Sequence, residues 1–220
     1  MLVTGVDACK GGWVAVTLAP SGARVTVAAA LRDLPMEGVT GIDMPLGLLA
    51  DGWRTADLLA RRALGRRGSC VFAIPPRSVW AQPSYAEAGR RCRELTGRGL
   101  SAQAWGLRAK LLEADLFRRG AALSREPFFE VHPELSFAEL AGAPLADTKH
   151  SAAGRARRRT LLAAAGIALP GAPAGAAEDD LLDAAAVAWS ALRIASGTAR
   201  VLPDPPAQRG DDGCEVAIRY

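Results

Sequence analysis

The sequence has little cysteine and no metal-type arrangement of it. Its four cysteines (Cys9, Cys70, Cys92, Cys214) are scattered, with no CxxC pair and no histidine at ligand spacing. That excludes a zinc ribbon or finger and reads as reduced packing residues. Long apolar runs are also missing. Although 50% of the residues are hydrophobic, no stretch approaches eighteen without a charge, so no membrane span is expected. Met1 to Asp7 shows neither a basic region nor a cleavage signature, so it does not read as a signal peptide, and a cytoplasmic location is expected. Internal repeats are absent. Lysine is scarce, and arginine stands in its place, in short clusters at 61–62, 66–67, 90–91, 118–119 and 157–159. Such clusters suit a polyanionic partner such as nucleic acid, and they equally suit solvated helix faces.

The 220 residues fit a single domain, 1–220, with a mostly helical insertion around 50–125. Leu2–Val6 predicts a strand ending in Asp7. Trp13–Leu18 follows the Lys10-Gly11-Gly12 turn, and Arg24–Leu31 follows Pro20-Ser21-Gly22. Together these make a three-strand meander. Val39–Met44 is a fourth strand, stopped by Pro45. Helices are expected over Thr55–Leu64, Tyr85–Leu95 and Ala102–Arg119, the last capped by Ser101 and stopped by Gly120. Ser69–Ile74 reads as a short strand, and Phe128–His132 as another ended by Pro133. Ser151–Ala165 is a basic helix, and Leu169–Ala177 a loop. Asp179–Ala195 is a strong helix with acids at its start, and Glu215–Tyr220 a last strand. Trp13, Ile42, Val131, Val187 and Trp189 are the expected core positions.

Acidic residues stand where apolar elements end. Asp7 closes the first strand, Asp43 follows Ile42, and Glu130 lies within Phe128–His132. Asp180 and Asp183 are one turn apart on the final helix. A carboxylate at the buried end of a strand is costly unless hydrogen-bonded, paired or bound to metal. Converging oxygen ligands select hard divalent ions, Mg2+ or Mn2+, which activate water in phosphodiester cleavage. Each acid also has a plainer reading. Asp7 can cap the glycine turn, Asp43 can fix the turn at Met44-Pro45, Glu130 can pair with an arginine, and Asp180 can be a helix-start acid. His132 reads either as a proton shuttle or as a histidine bonded to a neighbouring carboxylate. Lys10 and Arg77 are the candidate substrate contacts, Arg77 from a loop that the Pro75-Pro76 turn also explains.

Gly5-Val6-Asp7 with a glycine turn and second strand resembles the opening of ribonuclease-H-like proteins. Asp180-Leu181-Leu182-Asp183-Ala184-Ala185 is similar to the closing helix of Holliday-junction resolvases of that superfamily. Nearly the whole chain resembles an uncharacterised bacterial and archaeal family of predicted ribonuclease-H-like nucleases. The matching segments are Gly5-Val6-Asp7 with Gly12-Trp13-Val14, Gly41 to Gly47, Ser69 to Arg77, Phe129 to Glu134 and Asp180 to Ala191.

The resemblance implies an α/β fold of the ribonuclease-H-like kind: an antiparallel meander continued by parallel strands and flanked by helices. It also implies a metal-dependent nuclease or phosphodiesterase. Asp7 and Asp183 would then be metal ligands, Asp43 or Glu130 the third, and Asp180 a possible fourth. There is one departure: Arg32–Gly38 is too short for the helix that carries the glutamate of ribonuclease H proper. A binding or scaffold protein of the same fold is the alternative. An actin-like or sugar-kinase-like phosphotransferase is a weaker one, since no second phosphate loop or adenosine motif follows. The oligomeric state, homodimer included, stays open.

If the three aspartates face each other, replacing Asp183 with Asn should leave the metal-free protein no less stable.

Overall fold

In the computed structural model, which describes residues 1–124 and 127–220 (121–124 by backbone alone), the chain divides into two compact units. One comprises Met1–Met44, Ala121–Arg200 and Arg219–Tyr220; the other comprises Pro45–Gly120 and Val201–Ile218.

The first unit begins with β1 (Val3–Cys9), β2 (Gly12–Ala19) and β3 (Gly22–Ala28). Two-residue turns at Lys10-Gly11 and Pro20-Ser21 join them, with Cys9 opposite Gly12 and Ala19 opposite Gly22. After a short 3-10 turn, β4 (Val39–Ile42) pairs with β1 in parallel, Val6 beside Ile42. In the second unit, α1 (Thr55–Ala63), α2 (Arg77–Trp80), α3 (Tyr85–Thr96) and α4 (Ala102–Gly106) follow, then α5 (Arg108–Ser124), which belongs to this unit as far as Gly120. The first unit resumes with β5 (Phe128–Glu130), α6 (Pro133–Ala141), α7 (Ala152–Ala164) and α8 (Glu178–Ala195). β5 runs parallel to β4, so the five-strand mixed sheet has the order β3-β2-β1-β4-β5.

Helix α8 starts at its acids. Glu178, Asp179 and Asp180 occupy the first turn, where they complement the positive end of the helix dipole. Asp180 Oδ2 accepts a hydrogen bond from the Ala177 amide at 2.9 Å. The apolar positions that follow pack on β1, β2 and β4, with α6 and α7 alongside. The core here holds Val14, Val16, Phe137, Leu162, Leu181 and Ala185, all buried.

Several expectations change. Ser69–Ile74 is not a strand: a 3-10 segment spans Gly65–Cys70 and irregular chain leads to Pro75. Two prolines and no partner strand explain why an apolar run stayed irregular. The helix expected over 102–119 is two, broken at Leu107, and Gly120 does not stop the second. Ser101 caps the first of them, its Oγ accepting from the Ala104 amide at 3.1 Å. The strand before Pro133 stops at Glu130, and Pro133 itself opens α6, a helix the periodicity did not disclose. The C-terminal strand is only Ile218–Arg219. Trp13, Ile42, Val131 and Val187 are buried; Trp189 is only half-buried, with the Arg193 guanidinium 4.9 Å over its ring. Among the described residues, no helix is long and apolar enough to cross a membrane.

Candidate metal centre

Two strands present the same tripeptide pattern, Gly5-Val6-Asp7 and Gly41-Ile42-Asp43, side by side in parallel register. Side chains alternate across a sheet, so Gly5 and Asp7 share a face with Gly41 and Asp43. Helix α8 lies on that face. A Cβ on Gly5 would stand 2.1 Å from the Ala188 nitrogen and 2.2 Å from the Ala184 oxygen. One on Gly41 would stand 2.8 Å from Val187 Cγ1. The glycines therefore let the helix backbone sit almost on the strands. Asp183, one helical turn before Val187, is thereby delivered to the strand ends where Asp7 and Asp43 stand.

The result is a tight acidic group. One ligand oxygen from each of Asp7, Asp43 and Asp183 lies within 4.8 Å of the others. Asp7 and Asp183 are buried, 6% and 2% exposed, whereas Asp43 reaches solvent. Asp7 Oδ1 accepts from the Ala8 amide at 2.7 Å. Asp183 Oδ2 accepts from Lys149 Nζ at 2.5 Å. Asp183 Oδ1 is buried and has no hydrogen-bond partner among the described residues.

The electrostatics follow from this crowding. Burial pushes the Asp7 carboxyl well above its ordinary value, and the charges of Asp43 and Asp183 push it further. Burial likewise raises Asp43 to about 7, with Lys149 opposing and Glu134 adding to the rise. Asp183 is raised to about 6 by burial, against the pull of Lys149. Lys149 itself would be lowered by burial, but the surrounding aspartates reverse that and hold it protonated.

The other expected site residues stand elsewhere. Glu130 pairs in register with Ile42, so it shares the face of Val6 and Ile42, opposite to Asp7 and Asp43. Its companion on the aspartate face is Val131. His132 is the N-cap of α6, its Nδ1 accepting from the Glu134 amide at 3.3 Å. Asp180 caps α8 and is outside the three-residue group. Lys10 is exposed on the β1–β2 turn. Arg77, in the second unit, is held by Asp115 at 2.8 Å and by Asp211. Arginine clusters also turn out to be divided in their duties. Arg158 is fully buried against Glu134 at 2.6 Å, and Arg159 bonds Glu178 at 2.5 Å, while Arg62, Arg66 and Arg157 face solvent.

Two residues near the group were not foreseen. Glu134 sits in the first turn of α6, close enough to act on Asp43 and Asp183. Lys149 lies on the loop between α6 and α7, where no periodicity marks it. Its one sequence signal is rarity, a lysine in a chain that otherwise uses arginine.

A hard cation fits this group. The donors are all carboxylate oxygens, and one of the three acids, Asp183, also has a buried oxygen without a hydrogen-bond partner among the described residues.

Residues 5–208 match the family described as a protein of unknown function, DUF429, and the chain belongs to that family. Comparison with curated proteins and with solved structures found no match.

Proposed function

We propose that this protein is a ribonuclease-H-like enzyme that hydrolyses phosphodiester bonds in nucleic acid with Mg2+ or Mn2+ held by Asp7, Asp43 and Asp183. The observation that carries the reading is the buried, unpartnered Oδ1 of Asp183 inside a group of three carboxylates. An acid cluster with no ligand would place such an atom at a cost of about 1–3 kcal/mol, more for a charged group. The antiparallel meander continued by two parallel strands supports the ribonuclease-H-like assignment. The exposed arginines Arg62, Arg66 and Arg157 supply charge for a polyanion. Scattered cysteines without a CxxC pair support reading the protein as cytoplasmic.

A bound divalent ion would polarise the phosphoryl oxygen and lower the pKa of an attacking water. The residues themselves do the rest. Asp7 and Asp183, fixed on β1 and α8, hold two ligand positions rigid. Asp43 is the least buried of the three, so water and phosphate approach on its side. Its carboxyl, held near 7, is partly protonated at neutral pH and releases that proton when a cation arrives.

The test is cleavage of labelled single- and double-stranded DNA and RNA with Mg2+, Mn2+ or EDTA, beside Mn2+ binding by calorimetry. The reading expects metal-dependent cleavage of at least one substrate, lost by at least about a hundredfold in Asp7→Asn and Asp183→Asn. Mn2+ binding without cleavage would remove the nuclease assignment but keep the metal site. Absence of both would remove the whole reading.

A further inference from the structure

The backbone on both sides of Lys149 is held in place. The residue before it is anchored twice, the Thr148 carbonyl accepting from Ser151 Oγ at 2.9 Å and from the Ser151 amide at 3.1 Å. Only glycine fits at 154, because a Cβ there would stand 2.0 Å from the Thr148 oxygen. Buried Arg158 donates to the Asp147 carbonyl at 3.2 Å and to Glu134 at 2.6 Å. On the other side, His150 Nδ1 lies 3.1 Å from Asp179 Oδ2. A loop fixed at 147 and 148 aims the Lys149 side chain at Asp183.

Asp183 divides its two oxygens. Oδ2 meets the lysine at 2.5 Å; Oδ1 is buried and meets nothing among the described residues. In two-ion hydrolases the cations stand about 3.5–4 Å apart and share carboxylates, one oxygen to each ion. Here one of those oxygens already carries a positive charge. Lysine suits the position better than arginine, being a compact point charge and not a planar fork. Lys149 is one of only three lysines in a chain with 27 basic residues, so the choice goes against the chain's habit. The nearby Glu134 adds to the negative field on Asp43 and Asp183, but its charge is matched by Arg158. Three carboxylates against one ammonium leave two negative charges, which one divalent ion neutralises.

Resting on the metal-centre reading above, we infer that Lys149 is the site's built-in second cation: it occupies Asp183 Oδ2, so that the three aspartates take one divalent ion and not two. Removing the lysine frees the oxygen and the charge that a second ion needs.

The test is Mn2+ stoichiometry on the full chain after EDTA treatment, by calorimetry and by electron paramagnetic resonance. Wild type should bind one Mn2+ per chain and show an uncoupled six-line spectrum when bound. Lys149→Met should bind two with a spin-coupled spectrum, and Lys149→Arg, which keeps the charge, should stay at one. Wild type taking two ions, or Lys149→Met staying at one, overturns the inference and leaves the metal centre standing. Zero Mn2+ in every protein overturns the metal centre itself and the inference with it. Should Lys149→Met not fold, a crystal grown with Mn2+ decides. One ion with Lys149 still on Asp183 supports the inference, and a lysine displaced by a second ion overturns it.

Discussion

Each unit gathers aspartates, and the two gatherings are built on opposite principles. In the second unit, Asp115, Asp211 and Asp212 meet Arg77, Arg118 and Arg119, acid for base. Arg77 and Arg119 lie 2.8 and 3.1 Å from Asp115, both also reach Asp211, and Arg118 pairs with Asp212. Burial alone would raise Asp212, yet Arg118 holds it below the ordinary carboxylate range. In the first unit, Asp7, Asp43 and Asp183 meet one lysine, and all three are raised. Balanced acids tie chain segments together. Unbalanced acids, buried and still repelling, are the arrangement that a bound cation would relieve.

The sharpest way to break the contrast is to remove the close approach that creates the acid excess. Gly5→Ala places a methyl group against backbone atoms of α8, which cannot rotate away. The helix must shift, and the expected loss is about 3 kcal/mol, at the upper end of overpacking effects. Chemical denaturation measures it, and Mn2+ affinity should fall as Asp183 moves away from Asp7. A loss under about 1 kcal/mol would mean the helix yields easily and the site is not pinned by this contact.

Next in size is Asp115→Asn, which strips Arg77 and Arg119 of a buried partner while keeping the shape. Because both arginines are about a third exposed, the cost should be about 2 kcal/mol, below the 3–5 for a wholly buried pair. Mn2+ binding should be unchanged. A variant as stable as wild type would contradict the structural role assigned to the balanced cluster.

The pH dependence separates the clusters without mutation. Asp43 and Asp183 have folded values of about 7 and 6, above the ordinary 3.8, so the folded protein binds protons that the unfolded chain has released. Their contribution to stability is present below about pH 4 and is lost as pH rises through 6 to 7. In EDTA, the melting temperature should therefore fall between pH 5 and pH 8, by at least about 3 °C given 2–4 °C per kcal/mol. Mn2+, which needs the ionised acids, should stabilise more at pH 8 than at pH 5. Asp212, lowered, contributes in the opposite direction, and its loss appears only under acid conditions. A flat EDTA profile from pH 5 to 8 would show that the three acids do not confront one another.

The smallest effect is Asp183→Asn in the metal-free protein. Repulsion alone predicts no loss, but the structure adds Lys149, which gives up its closest partner. The two effects oppose, leaving a change within about 1 kcal/mol, a charged hydrogen bond being worth about 1.5–3 before the relief of repulsion is subtracted. A thermal melt in EDTA reads it, and a loss well beyond that range would assign Asp183 a purely structural pairing with Lys149.

Much of this site was legible because its acids interrupt apolar runs. Asp43 follows the short strand β4. Asp7, expected to end its strand, lies inside β1, which pairs with β2 as far as Cys9. Asp183 sits beyond the first turn of an apolar helix, where an acid has no capping excuse. Glu130 looked equivalent and is not. Which face a strand residue takes depends on register, and pairing with Ile42 puts Glu130 on the far side. Asp180 and His132 carried the marks of active groups and serve as helix caps. Proline at 133 was read only as the end of a strand; at the first position of a helix it is also a start. Lys149 was invisible to periodicity because a loop residue has none; only the packing of α7 against its loop brings it to Asp183.

Diffraction from a crystal grown with Mn2+, collected for its anomalous signal, tests the metal centre most directly. The account predicts one Mn2+ per chain, bonded by Asp7, Asp43 and Oδ1 of Asp183, with Lys149 remaining on Oδ2. Anomalous density absent from these three carboxylates, at Mn2+ concentrations that saturate binding in solution, would contradict it.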